Sequence, residues 1–194
     1  SMSLGRNRVL GISLGTSTAG GYVNADGNIT SWINELAFVP VDYNPNAPTD
    51  EWSGDYGCGV QYFSQQCVGR LLAPAGIKAD PKLPLPEKLK QVQKLMDQED
   101  GRARKIYQTI GAYLGYAIAH FSDLYELENV LILGRVTSGP GGDIIIAGAV
   151  ILHCHFFLDS IYDQAVWSVV GKIAGALVFI AGVGFLVIHI WFFR

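Results

Sequence analysis

The chain has 194 residues, 49% of them hydrophobic, and a formal net charge of −3. That length suffices for one ordinary domain with a real core, or a small domain plus an appendage, and the charge supplies no basic surface for nucleic acid. Its three cysteines, Cys58, Cys67 and Cys154, form no CxxC pair and leave one unmatched, which argues against a disulfide scaffold and fits a reducing compartment.

Ser1–Leu4 reads as an expression scar, and no secretory signal follows it. Arg8–Leu14 reads as a short buried strand and Gly20–Asn24 as its return, with "NADG" (24–27) as a turn, because a hairpin needs the positive φ that glycine supplies. The connecting stretch "GISLGTSTAGG" (11–21) is either a plain tight turn or a cradle for an anion. Gly15, Gly20 and Gly21 let a ligand approach the backbone, and Thr16, Ser17 and Thr18 offer hydroxyl donors. It is no Walker A loop: the GK[ST] ending is missing, and a hairpin stands where a helix should start.

"NITSWINELAF" (28–38) is β-leaning at first, and residues 39–59, rich in Pro, Gly, Asn and Asp, read as a long ordered loop. Asp50 and Glu51 within it read as solvated acids, with a position in a cleft as the alternative. Val60–Leu72 is expected as a helix, with Cys67 a small core residue. A second helix is expected over 85–101, with Leu89, Val92 and Leu95 on one face and the charges of Glu87–Lys94 on a wet one. A third, Ala103–Ser122, places Ile106, Ile110, Tyr113, Leu114, Ala117, Ile118 and Phe121 on one stripe. "ENVLILG" (128–134) has the pattern of a buried parallel strand, and "RVTSGPGGD" (135–143) is a second glycine-rich loop. Strands, helices, a strand and a glycine loop in this order predict an α/β domain.

Five segments in order resemble the ROK-family sugar kinases. "ISLGTSTAGGYVNADGNI" is similar to their second phosphate loop, and "NELAFVPVD" (34–42) to the GExGHxxVD segment. "GCGVQYFSQQ" (57–66) resembles GCLExYxS, which closes the family's zinc motif, and "YLGYAIAHF" (113–121) the YLGxxLAxL helix. "NVLILGRVTSGPGGD" (129–143) resembles the loop beside the adenosine.

The resemblance implies the C-terminal half of a ROK, actin-like (ribonuclease H-like) fold over residues 5–143, followed by an apolar tail over 144–194. It implies ATP with Mg2+ as cofactor and a hexose as partner. Gly15, Thr16 and Ser17 map onto the nucleotide-phosphate loop; Gly134, Thr137, Ser138 and Gly139 onto the adenosine-side loop; and Glu35 onto the glutamate that hydrogen-bonds sugar hydroxyls. The family's sugar- and zinc-contacting histidine is Phe38 here, and only Cys58 matches the zinc cysteines, so no zinc is expected. The first-lobe DxGGT loop and the general-base aspartate are also missing. Phosphoryl transfer needs that base and a second wall around the phosphates, so the chain alone is expected to carry no catalytic residue. A missing N-terminal lobe or a second subunit would have to supply them. The competing reading is a non-catalytic ROK-like regulatory or membrane-tethered sugar-sensing module.

Past Asp143 the only formally charged residues are Asp159, Asp163, Lys172 and Arg194. Ile173–Phe193 carries none, and at about 1.5 Å per residue it would span about 32 Å, enough for a bilayer core. Trp167, Trp191, Phe192 and Phe193 sit at interfacial positions. The tail reads as a membrane helix, as an apolar core element, or as the product of a fusion, truncation or frame change. The protein is expected to be cytoplasmic, with this helix as its route to a membrane. His153-Cys154-His155 lies in an apolar run without nearby carboxylates and reads as buried or membrane-proximal rather than a metal site.

Overall fold

The computed structural model describes residues 5–32 and 34–164. Two compact units divide between His153 and Cys154. The candidate membrane helix 173–193 and its aromatic flanks lie outside the described residues. Among the described residues, no helix is long and apolar enough to cross a membrane.

The first unit is built on a four-stranded mixed sheet of order β3-β2-β1-β4. β1 (Val9–Leu14) alternates as a half-covered strand must: Leu10, Ile12 and Leu14 are fully buried, while Gly11 and Ser13 take the other face. β2 (Thr18–Val23) returns antiparallel in the register Leu14↔Thr18 to Val9↔Val23. The expected turn follows, with Gly27 at φ +82° and the Asn24 side chain accepting from the N–H groups of Asp26 and Asn28. β3 (Ile29–Thr30) adds a short edge.

Residues 39–59 are irregular, pinned by bridges at Pro40↔Cys58 and Thr49↔Tyr56. Asp50 is not solvated as expected but buried, at 3% exposure. Its carboxylate accepts the Ser53 N–H at 2.8 Å in a turn closed by Gly54 N–H on the Asp50 carbonyl. A buried acid is tolerable when such donors replace water.

The expected helix 60–72 is two helices, α1 (Val60–Phe63) and α2 (Gln65–Leu71). Ser64 is extended between them (φ −127°, ψ −177°). Its hydroxyl donates to the Val60 carbonyl at 2.6 Å and accepts the Gln66 N–H at 2.9 Å, the local competition by which serine ends one helix and caps the next. α3 (Leu85–Asp97) stops short of 101 because Glu99 adopts φ +57° and Asp100 restarts the chain as N-cap of α4 (Gly101–Ser122). The Arg102 side chain and backbone N–H hold the Asp100 carboxyl down at about 2.

The stripe expected on α4 forms the core: Ile106, Ile110, Leu114, Ala117, Ile118 and Phe121 are buried with the β1 leucines, and Tyr113 packs at their margin. β4 (Asn129–Leu133) lies parallel to β1, Val9↔Asn129 through Ser13↔Leu133. A single 3-10 turn (Arg135–Thr137) leads to α5 (Pro140–Gln164). Gly141 and Gly142 are therefore helical rather than part of an open loop. Within the first unit, Ile145 and Ala149 of α5 are buried in the core.

Candidate functional site

The parallel register carries the carboxyl ends of β1 and β4 to the same edge of the sheet, where open α/β sheets place their ligand crevices. The turn 15–17 leaves β1 and the turn 134–139 leaves β4. Gly134 joins them: at φ +113°, a Cβ on it would stand 2.4 Å from the Leu14 carbonyl oxygen. Only glycine permits that approach.

The first turn is held from beneath. The Gly15 N–H donates to the Ser17 carbonyl, and the Gly15 carbonyl accepts the Gln65 N–H, both at 2.9 Å. The break at Ser64 thus frees the first N–H of α2 to anchor the glycine turn. Thr16 and Ser17 are exposed, and none of the described backbone hydrogen bonds uses their N–H groups. In the second turn the Thr137 hydroxyl donates to the Gly134 carbonyl at 2.9 Å, and the Gln93 side chain of α3 donates to the Arg135 carbonyl at 3.2 Å. Ser138 and Gly139 are exposed, Gly139 at φ +73°. The N-terminus of α5 opens directly after them, an end of positive potential, where the Gly142 N–H is already taken by the Gly139 carbonyl at 2.9 Å and Asp143 stands in the first turn.

The structure thus brings Gly15, Thr16, Ser17, Gly134, Thr137, Ser138 and Gly139 to one sheet edge. Glu35 sits elsewhere in the chain path, exposed in the segment after β3, its carbonyl accepting the Phe38 N–H. Phe38 packs its ring on Trp52, centroids 5.4 Å apart. Cys58 is buried with Ala37 and Val60, and burial raises its thiol above the ordinary range. Cys67 is a core residue, its thiol pushed up to about 12 by burial. Among the described residues, no group of three His, Cys, Asp or Glu side chains could hold a metal ion.

Sequence reasoning missed Thr18 and Gln65 as buried polar groups beside the first turn. Thr18 is paired with Leu14 in the hairpin, and its hydroxyl is buried without a partner. Gln65 is fully buried, with both amide atoms unpartnered. The available signal was a serine and two glutamines inside an apolar helical pattern. Each orphaned buried polar group costs about 1–3 kcal/mol, and a same-shape apolar group removes that cost. Gln65→Leu is therefore expected to leave stability unchanged or raise it by about 1–2 kcal/mol in urea unfolding. A loss of that size would show that the amide is satisfied by a buried water.

No protein-family model matches the sequence, and comparison with curated proteins finds no match. Solved structures do match. A ROK hexokinase from Thermus thermophilus superposes at TM-score 0.56 and 17% identity over 74% of this chain and 47% of that one. A ROK-family glucokinase from Streptomyces griseus, in complex with glucose and AMPPNP, gives TM-score 0.62 at 17% identity over 79% and 52%. The fold is that of the ROK proteins. A ROK-family transcriptional regulator, a homologue of the E. coli MLC protein, matches equally well, at TM-score 0.62 and 22% identity over 78% of this chain and 38% of that one. The chain spans about half or less of the length of these structures. The ROK fold therefore underlies both kinases and a regulator, and at this level of identity the likeness speaks for architecture alone.

Proposed function

We propose that this chain is the nucleotide- and sugar-binding lobe of a ROK-type sugar kinase, acting in the cytoplasm and incompetent for phosphoryl transfer by itself. The observation that carries the reading is the junction of Gly134 with the Leu14 backbone, which sets two glycine turns side by side at the ends of parallel strands. Gly15, Thr16 and Ser17 would take the phosphates of Mg·ATP, Gly134, Thr137, Ser138 and Gly139 would line the adenosine side, and Glu35 would meet a hexose hydroxyl. The glucokinase neighbour, solved with glucose and AMPPNP, supports both ligand classes. The ROK regulator neighbour supports a second reading, a lobe that senses sugar without catalysis.

With one wall of the cleft, Mg·ATP is expected to bind at about millimolar Kd, near −4 kcal/mol, in titration calorimetry. Micromolar affinity would overturn the half-site argument, and no binding at tens of millimolar would overturn the nucleotide reading. Sugar-dependent ATP turnover by the isolated chain would refute the claim that it lacks its own catalytic base.

A further inference from the structure

Two exposed aromatic rings stand together at the long loop. Trp52 is 83% exposed and Phe38 37%, and their ring centroids lie 5.4 Å apart at 31°. A single exposed apolar side chain needs no explanation, but this pair is braced from below.

The bracing starts from buried atoms. Gly54, at φ +78°, closes the turn 50–54 by donating its N–H to the Asp50 carbonyl at 2.9 Å. The buried Asp50 carboxylate accepts the Ser53 N–H at 2.8 Å, and the Asp50 N–H donates to the Asp55 carbonyl at 2.9 Å. Trp52 thus rides on a turn tied to a buried group. Phe38 ends a second turn, its N–H on the Glu35 carbonyl at 3.1 Å. The Val60 N–H at the start of α1 donates to the Ala37 carbonyl within that turn at 3.0 Å, and Leu36 and Ala37 are buried. Both rings are therefore carried by ordered backbone, and exposed Glu35 opens the turn that Phe38 closes. Among the described residues, no hydrogen bond or ion pair engages the Glu35 carboxylate or the Trp52 indole N–H.

We propose that Phe38 and Trp52 form a stacking platform for the apolar face of a pyranose ring, with Glu35 accepting from a hydroxyl at its edge. The inference rests on the sugar reading of Glu35 given above and adds to it the side chains that select a ring. A pyranose with equatorial hydroxyls turns axial C–H bonds toward one side. That face can lie on an aromatic ring while its hydroxyls stay at the rim, hydrated or bonded to the carboxylate, so no polar group is buried unpaired. An anionic occupant is disfavoured by the charge of Glu35. Two aromatic side chains offer at most about 150–250 Å² each, well short of the about 800 Å² per partner that a stable protein interface buries. The patch has the size of a sugar ring, not of a protein face.

The test titrates glucose into the full chain by saturation-transfer NMR. The control is sorbitol, an acyclic polyol that carries the hydroxyls without the ring face. Glucose is expected to bind with a Kd of about 1–10 mM and sorbitol at least about five-fold more weakly. Irradiating the aromatic protons should saturate the axial hydrogens on one face of the β-anomer more than those on the other. Trp52→Ala should weaken glucose about five- to ten-fold, and Trp52→Phe, which keeps a ring, about two-fold or less. Both variants alter an exposed side chain and leave the buried turn in place. Glu35→Gln separates the two readings: lost binding there, with Trp52→Ala unchanged, would overturn the platform and keep the sugar-binding lobe. Equal binding of glucose and sorbitol, or equal saturation of both faces, would also overturn the platform. No glucose binding up to about 200 mM would overturn the platform and the sugar half of the lobe reading together, leaving Mg·ATP affinity to judge the nucleotide half.

Discussion

Replacing Gly134 with valine is expected to cost about 2–6 kcal/mol, the sum of two separate penalties. The first is conformational: Gly134 sits at φ +113°, a region that a β-branched residue enters only under strain of about 1–3 kcal/mol. The second is steric: the new Cβ would lie 2.4–2.7 Å from three backbone atoms of Leu14, and backbone cannot rotate away as a side chain can. Overpacking of this kind costs about 1–3 kcal/mol. Because the clash falls at the junction of the two turns, any nucleotide affinity should vanish with it. Gly139→Ala is the control. Gly139 is also left-handed, at φ +73°, but nothing lies within 4 Å of its Cβ position, so only about 1–2 kcal/mol of strain is expected. Urea unfolding of the two variants measures the difference; equal losses would mean that Gly134 serves only its dihedral angle.

The second large effect is expected where α4 meets α5. A Cβ on Gly115 would stand 2.7 Å from the Leu152 Cβ and 3.0 Å from the Ala149 carbonyl, and one on Gly111 2.8 Å from the Ile145 carbonyl. The two glycines, one turn apart, let the helices approach more closely than side chains allow. Gly115→Val should therefore cost about 2–3 kcal/mol by forcing them apart. Gly101→Ala on the same helix has nothing within 4 Å of its Cβ position and should instead stabilise by about 0.4–1 kcal/mol, since alanine restricts the unfolded chain. Thermal unfolding of both variants checks the contrast in sign. A neutral Gly115→Val would show that α5 does not pack on α4 in solution.

The sequence by itself determined the parts whose signal is local. Alternation of Leu10, Ile12 and Leu14 specifies β1, Asp26-Gly27 the turn from β2 to β3, and the spacing of Ile106, Ile110, Leu114 and Phe121 the buried face of α4. Each follows from backbone period and side-chain transfer free energy, which act within a few residues. Five motif segments in chain order, from residue 12 to residue 143, carried the ROK resemblance, and the solved neighbours have that fold.

Only the tertiary structure decided the rest. Ser64 sits in an apolar helical pattern, and the helix breaks there where its hydroxyl serves both flanking turns and the Gln65 N–H reaches Gly15, some fifty residues away in sequence. Asp50 looked like a solvated loop acid until the turn around it supplied an N–H donor. Gly134 read as the end of a strand, and Gly141 and Gly142 as part of the glycine-rich loop 135–143. In the fold Gly134 touches the Leu14 backbone, Gly141 the Tyr107 ring and Gly142 the Thr137 carbonyl. A cleft lined by Asp42, Tyr62, Tyr113 and His120 likewise joins a loop, α1 and α4, segments with no common motif. Packing of distant segments chose these contacts, because the cost of a buried polar group or a displaced Cβ depends on what lies opposite it in space, and no local pattern records that neighbour.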